Sequence, residues 1–155
     1  MTGSPYQLKS DPYSSHAVIL SRLGQGRGRR ALDVGAADGF LSELLTHQGW
    51  QVSALERDPA QAAKARGRCH EVVVADLDQA APRLQGTFDA IVYGDVMEHL
   101  NDPLPVLVAL NRTLSADCFA AASVAIVRSV SGCFCSDRIG DARCSKDVLD
   151  SKPRA

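Results

Sequence analysis

Acidic side chains recur in this chain where short apolar runs end. The first run closes as Leu32-Asp33-Val34-Gly35-Ala36-Ala37-Asp38-Gly39. Gly35 and Gly39 let the backbone turn tightly and let a ligand approach with no Cβ in the way. A helix starting at this turn presents free N–H groups, which favour a carboxylate or a phosphate. The spacing is not the G-x-G-x-x-G of dinucleotide sites. Asp33 and Asp38 flank the turn, and negative charge beside a pyrophosphate is unfavourable. Beside an amino group or a sulfonium cation it is favourable.

The second run ends in Glu56, 21 positions after Gly35. An acid about 20 residues past such a turn can accept from both hydroxyls of an adenosine ribose. The third ends in Asp76 and is followed by Leu77. That carboxylate can accept from an exocyclic amine such as adenine N6, and Leu77 offers an apolar contact to the ring. The fourth run, Phe88-Asp89-Ala90-Ile91-Val92-Tyr93-Gly94, leads into Asp95-Val96-Met97-Glu98-His99-Leu100. Gly94 and Asp95 can line a ligand's reactive end. On a helical turn Asp95 shares a face with Glu98 or His99. The three can hold a divalent ion such as Mg2+, or His99 can act as a base near neutral pH. The alternative is that Glu98 and His99 only pack the loop before the next helix. His16, His47 and His70 have no comparable company and read as surface residues.

Elements that place these residues follow from the pattern. Strands are predicted at 31–34, 52–55, 72–75, 88–93 and 119–127. Ala17, Val18, Ile19, Leu20 and Leu23 suit one short helix, and Phe40, Leu41, Leu44 and Leu45 recur at helical spacing with Gly49 as a stop. Asp58 is an N-cap with Pro59 at the first helical position, opening an alanine-rich helix to Arg66. Asp102-Pro103 opens another, with Val106, Leu107, Leu110 and Leu114 on its buried face. Apolar strands alternating with helices describe a parallel sheet covered on both sides. The fold class is α/β, a Rossmann-like doubly wound, mostly parallel sheet. Ligands of such sheets bind outside the carboxyl ends of the strands, where the acids above fall.

Composition narrows the remaining classes. The 155 residues suit one domain. With 45% hydrophobic and 23% charged residues, wholesale disorder and a membrane protein are both disfavoured. No run approaches the ~20 apolar residues of a membrane span. The first residues carry no basic and apolar leader pattern, so no signal peptide is expected. A net charge of −1 gives no general attraction to nucleic acid or anionic lipid. Arg27, Arg29 and Arg30 read as a solvated approach to the first strand. The 5 cysteines include no C-x-x-C pair, and their odd number argues against a disulfide framework. A cytoplasmic setting is expected.

Taken together, 31–45, Glu56, Asp76 and 88–110 resemble the class I S-adenosylmethionine-dependent methyltransferases, over roughly residues 30–115. Phe88 to Pro103 is similar to small-molecule O-methyltransferases related to ubiquinone biosynthesis enzymes, and to bacterial methyltransferases found with glycosyltransferases. Asp11-Pro12-Tyr13-Ser14-Ser15-His16 fits the bacterial branch. The resemblance implies S-adenosylmethionine as cofactor and a small-molecule or glycan acceptor. It implies that Asp33, Gly35, Ala37 and Gly39 hold the methionine part. Glu56 would take the ribose, Asp76 and Leu77 the adenine, and Gly94 and Asp95 the reactive end. It implies a catalytic role for His99 and Glu98 and, as in some relatives, a metal ion on Asp95, Glu98 and His99. Asp at the first of those three places departs from the pattern. The reaction implied is a direct displacement in which alignment supplies much of the rate.

The pattern breaks after Asp117. Cys118 stands where the family has a glycine turn, the Pro-Asn after the fifth strand is missing, and 128–155 is rich in Ser, Cys, Asp and Arg with little periodicity. The expectation is an N-terminal extension at 1–29, a cofactor-binding domain at 30–127 and an atypical tail at 128–155. The sixth and seventh strands are expected to be absent, as if the C-terminus were altered; a short intact member is the alternative. The same break allows a second reading, a catalytically inactive protein of this fold acting by binding or oligomerisation. A nicotinamide-dependent oxidoreductase is a third, disfavoured by the glycine spacing.

Overall fold

The computed structural model describes residues 14–80 and 82–122. Helix α1 spans Ser15–Leu23, β1 Arg30–Val34, α2 Phe40–His47, β2 Gln51–Glu56, α3 Pro59–Ala65 and β3 Glu71–Val74. Strand β4 (Phe88–Tyr93), a single 3-10 turn (Met97–His99), α4 (Pro103–Asn111) and β5 (Leu114–Ala122) follow. The five strands form one parallel sheet in the order β3-β2-β1-β4-β5. The chain steps outward from β1 to β3, then returns to the far side of β1 as β4. This reversal opens a crevice between the carboxyl ends of β1 and β4, the place where such sheets bind ligands.

Local chemistry explains the boundaries. Asp58 and Asp102 each cap a helix through the side chain, accepting from Ala60 N (2.8 Å) and Leu104 N (3.3 Å), with Pro59 and Pro103 in the first turn. Ser14 does the same for α1, accepting from Ala17 N at 3.3 Å. Gly49 ends the α2 region with φ +82, a conformation that disfavours side chains.

The core lies on both faces of the three central strands. On one face Ile19 and Leu23 of α1 pack with Leu41, Leu45, Trp50, Val52 and Val92. On the other, Leu32, Val34, Leu55, Phe88 and Ile91 meet Val106 and Leu110 of α4. Each such side chain, fully buried, contributes roughly 1.5–3 kcal/mol, so β1 and β4 form a stiff base for the residues at their ends.

Some expectations are corrected. Leu114 is not on the face of α4; the helix closes with Thr113 N donating to Leu110 O at 2.9 Å, and Leu114 begins β5 opposite Phe88. Strand β5 thus starts earlier than the predicted 119. Its register jumps between Leu114–Phe88 and Phe119–Ala90, leaving 115–118 against Asp89. The irregularity spans Cys118, the position where the resemblance leads one to expect a glycine. Arg27 and Arg29 are exposed, as expected, while Arg30 is half-buried, and two of the three arginines also stack on rings. Arg29 lies 4.5 Å over the Trp50 ring and Arg30 4.6 Å over Phe88. Residues 123–127 of the predicted fifth strand, the tail 128–155 and the leader reading at 1–13 lie outside the described residues. No described helix is long and apolar enough to cross a membrane.

Candidate functional site

The strand register brings the predicted residues to one edge of the sheet. Val34 is level with Leu55 on one side and Tyr93 on the other, and Glu56 is level with Val74. The segments after β1, β2 and β4 therefore emerge side by side.

The turn after β1 is held from several directions. Gly35 has φ +75, and a Cβ there would stand 2.7 Å from Val96 Cγ2, so only glycine lets the loop after β4 close on it. The N–H groups of Gly35 and Ala36 both donate to Leu55 O at 2.9 Å. Ala37, itself at φ +49, donates to Glu56 Oε2 at 2.8 Å. Phe40 N donates to Asp38 Oδ1 at 3.3 Å. The protein itself uses these four amides, Phe40 N being the first of the helix N–H groups. The Asp33 and Asp38 carboxylates beside them suit a cation better than a phosphate.

A cleft at this point is lined by Asp33, Gly35, Ala37, Gly94 and Asp95 from among the predicted residues, joined by His16, Ala36, Asp38, Phe40 and Leu41. Asp33 is 2% exposed, and the buried Ser42 hydroxyl donates to its Oδ2 at 2.7 Å. Burial pushes its pKa up to about 6; the Ser42 hydrogen bond opposes this and the nearby Glu56 charge adds to it. A carboxylate so poorly compensated gains from a cation brought beside it. Asp38, also buried, is paired with Arg68 Nη1 at 3.3 Å.

Glu56 does not itself line this cleft; its Oε2 accepts from Ala37 N, which does, and its Oε1 accepts from Asp58 N at 2.8 Å. Each oxygen keeps a further lone pair. Asp76 follows the end of β3 by two residues and caps its own turn, accepting from Asp78 N and Gln79 Nε2, both at 3.1 Å. Leu77 is half-buried against the core. Neither Asp76 nor Leu77 lines the cleft around Asp33, and Gly39 is set back from it. A Cβ on Gly39 would lie 2.9 Å from Ala65 of α3, so that glycine serves packing.

Beyond β4, Asp95 takes φ +50 and accepts from Ser15 Oγ at 3.3 Å, which ties the start of α1 to the mouth of the cleft. Glu98 and His99 are exposed on the 3-10 turn and do not line the cleft. The expected metal cluster is not assembled. Among the described residues no three His, Cys, Asp or Glu side chains gather closely enough to hold an ion. The 3-10 turn and the left-handed Asp95 replace the regular helix that would have stacked Asp95 on Glu98 and His99.

His16, expected at the surface, instead lines the cleft, with its ring 5.9 Å from that of Phe40. The sequence marks it as first-turn by Ser14 two residues before, but nothing local says that this turn lies over the β1–β4 crevice. His47 and His70 are exposed, as expected.

A family model described as a methyltransferase domain matches residues 14–125, well over half of the chain. The chain is 32% identical over 91 residues to the ubiquinone biosynthesis O-methyltransferase of Pseudomonas aeruginosa, covering 55% of this chain and 39% of that protein. For the Xanthomonas campestris enzyme of the same name the figures are 34% over 88 residues, 53% and 37%. The chain thus spans about two fifths of the length of these relatives. A TehB-like S-adenosylmethionine-dependent methyltransferase from Corynebacterium glutamicum has TM-score 0.60 and 30% identity, over 72% of this chain and 62% of that one. The glycopeptide N-methyltransferase MtfA, solved with S-adenosylmethionine, shares the fold with TM-score 0.59 at 20% identity, over 79% and 59%. With the β3-β2-β1-β4-β5 sheet and the acid-flanked glycine turn at its switch point, these matches place the chain in the class I S-adenosylmethionine-dependent methyltransferase family.

Proposed function

We propose that this chain holds S-adenosylmethionine at the β1–β4 crevice and serves methyl transfer to an oxygen of a small molecule or glycan. The observation that carries this reading is Asp33. It is a buried carboxylate at the wall of a cleft, held by the Ser42 hydroxyl and with a pKa raised to about 6. Such a group suits the ammonium of an amino-acid moiety. When bound, the cofactor supplies a methyl carbon already made electrophilic by its sulfonium.

Each residue then has a task. Asp33 binds the ammonium, and Glu56, oriented by Ala37 N and Asp58 N, accepts from the ribose hydroxyls. Asp76 and Leu77 sit at the adenine end; the capping of its own turn fixes the Asp76 carboxylate there. Gly94 and Asp95 border the reacting end, and Leu41 lies 3.6 Å from where a Gly94 Cβ would be. His99, with Glu98 beside it, faces solvent on the segment after Asp95 and takes the proton of an acceptor hydroxyl. His16 closes the cleft from α1 and positions the bound molecule.

The acceptor class rests on the relatives' names, which include ubiquinone biosynthesis O-methyltransferases and a glycopeptide N-methyltransferase. The test is methyl transfer from radiolabelled S-adenosylmethionine into cell-extract small molecules and glycans. Label in an alkali-stable ether product supports the reading. Firm cofactor binding without any transfer favours a non-catalytic relative.

A further inference from the structure

We infer that Arg68 is a positioning residue for the cofactor turn, acting through Asp38. The inference rests on the cofactor reading above and concerns a residue outside the cleft.

Asp38 lies in the cleft wall with its side chain only 6% exposed. Its Oδ1 accepts from Phe40 N and fixes the first turn of α2; its Oδ2 meets Arg68 Nη1 at 3.3 Å. A carboxylate this buried must be paired or the surrounding backbone gives way. Arg68 is held in turn. Its Nε lies 3.7 Å from Glu43 Oε2 of α2, its N–H donates to Ala65 O at 2.8 Å, and its carbonyl accepts from Thr46 Oγ1 at 3.3 Å. The end of α3 already touches the turn at Gly39, where an added Cβ would meet Ala65 at 2.9 Å. Arg68 therefore bolts the end of α3 to the start of α2 and fixes the span between Gly35 and Phe40.

There is also a charge consequence. Asp33, Asp38 and Asp95 all line one cleft. Pairing Asp38 with Arg68 removes one of these charges from competition, so that the ammonium is directed to Asp33. Loss of Arg68 should loosen the turn and offer the cation a second, misplaced carboxylate.

The test is calorimetric titration of the full 155-residue chain with S-adenosylhomocysteine at 10 °C, well below unfolding. Arg68→Gln should weaken binding about tenfold or more. Arg68→Lys, which keeps the charge, should restore most of it. Asp38→Asn keeps the cap oxygen but not the ion pair, and should weaken binding as Arg68→Gln does; it also reads the pair if Arg68→Gln does not fold. The double variant should be no weaker than Asp38→Asn alone, since both changes break one interaction. Unaltered affinity in Arg68→Gln, or losses that add in the double variant, overturns the inference. If the unmutated chain itself does not bind S-adenosylhomocysteine, the cofactor reading falls, and this inference with it.

Discussion

The backbone N–H of Ala37 donates to Oε2 of Glu56 at 2.8 Å, joining the turn after β1 to the end of β2. The other oxygen of the same carboxylate is held by Asp58 N. Ala37 adopts a left-handed conformation to make this bond. Such strain persists where surrounding structure over-determines it, often at ligand sites. Glu56 is thus oriented before any ligand arrives, and preorganisation of this kind lowers the cost of binding.

Replacing Glu56 with Ala should therefore weaken S-adenosylhomocysteine binding by about 2 kcal/mol or more, roughly 30-fold, because the ribose hydroxyls lose a charged acceptor. Calorimetric titration reads this directly. Unchanged affinity would remove the ribose assignment.

Asp33 makes a prediction about pH. Its folded pKa of about 6 stands above the ordinary 3.8. Between those values the folded chain holds a proton that the unfolded chain has lost, so stability without cofactor falls as pH rises through that window. Two units correspond to about 3 kcal/mol at most. Asp33→Asn keeps an acceptor for Ser42 but carries no charge. It should flatten this slope and raise stability at pH 7 while weakening cofactor binding. Urea melts at pH 4 and pH 7 decide the matter; equal slopes in the two proteins contradict it.

Gly35 tests the contact between the β1 turn and the β4 loop. Gly35→Ala brings a methyl to 2.7 Å from Val96 Cγ2 at a φ of +75, so two costs add. Adding Val96→Gly removes both close contacts, Cγ2 at 2.7 Å and Cβ at 2.8 Å, but not the conformational cost at Gly35. The single variant should lose cofactor binding, and the double variant should recover part of it. A thermal melt and a titration of each check both statements.

The two histidines separate holding from chemistry. His16→Ala should raise the dissociation constant for S-adenosylhomocysteine several-fold, since His16 lines the cleft. His99→Ala should leave that constant unchanged and lower turnover by about 10²–10⁴-fold at neutral pH. Reversed effects would exchange the two roles.

Much of this was legible in the residues because it is local or periodic. Four strands, the Asp58 and Asp102 caps and the glycine turn follow from apolar runs and from capping chemistry. Glu56 followed from its distance along the chain to Gly35, because a β-α-β unit of that length sets two strand ends side by side. What stayed hidden depends on contacts distant in sequence. His16 reaches the cleft only because Ile19 and Leu23 dock α1 on the core beside Leu41 and Leu45. The amides of Gly35, Ala36 and Ala37 are taken by Leu55 and Glu56 of β2, which no local pattern announces. The metal cluster failed because helical spacing was assumed for a segment that folds as one 3-10 turn. Leu114 fitted helical periodicity equally well, and only its pairing with Phe88 makes it a strand residue.

The most direct measurement is a thermal melt of the full chain with S-adenosylhomocysteine and, separately, with NAD. S-adenosylhomocysteine at about 100 times its dissociation constant adds ~2.7 kcal/mol, a rise of roughly 5–10 °C for a chain of this size. The expected result is that rise with S-adenosylhomocysteine, its loss in Glu56→Ala, and no rise with NAD. A cooperative melt that S-adenosylhomocysteine leaves unmoved would contradict the cofactor assignment.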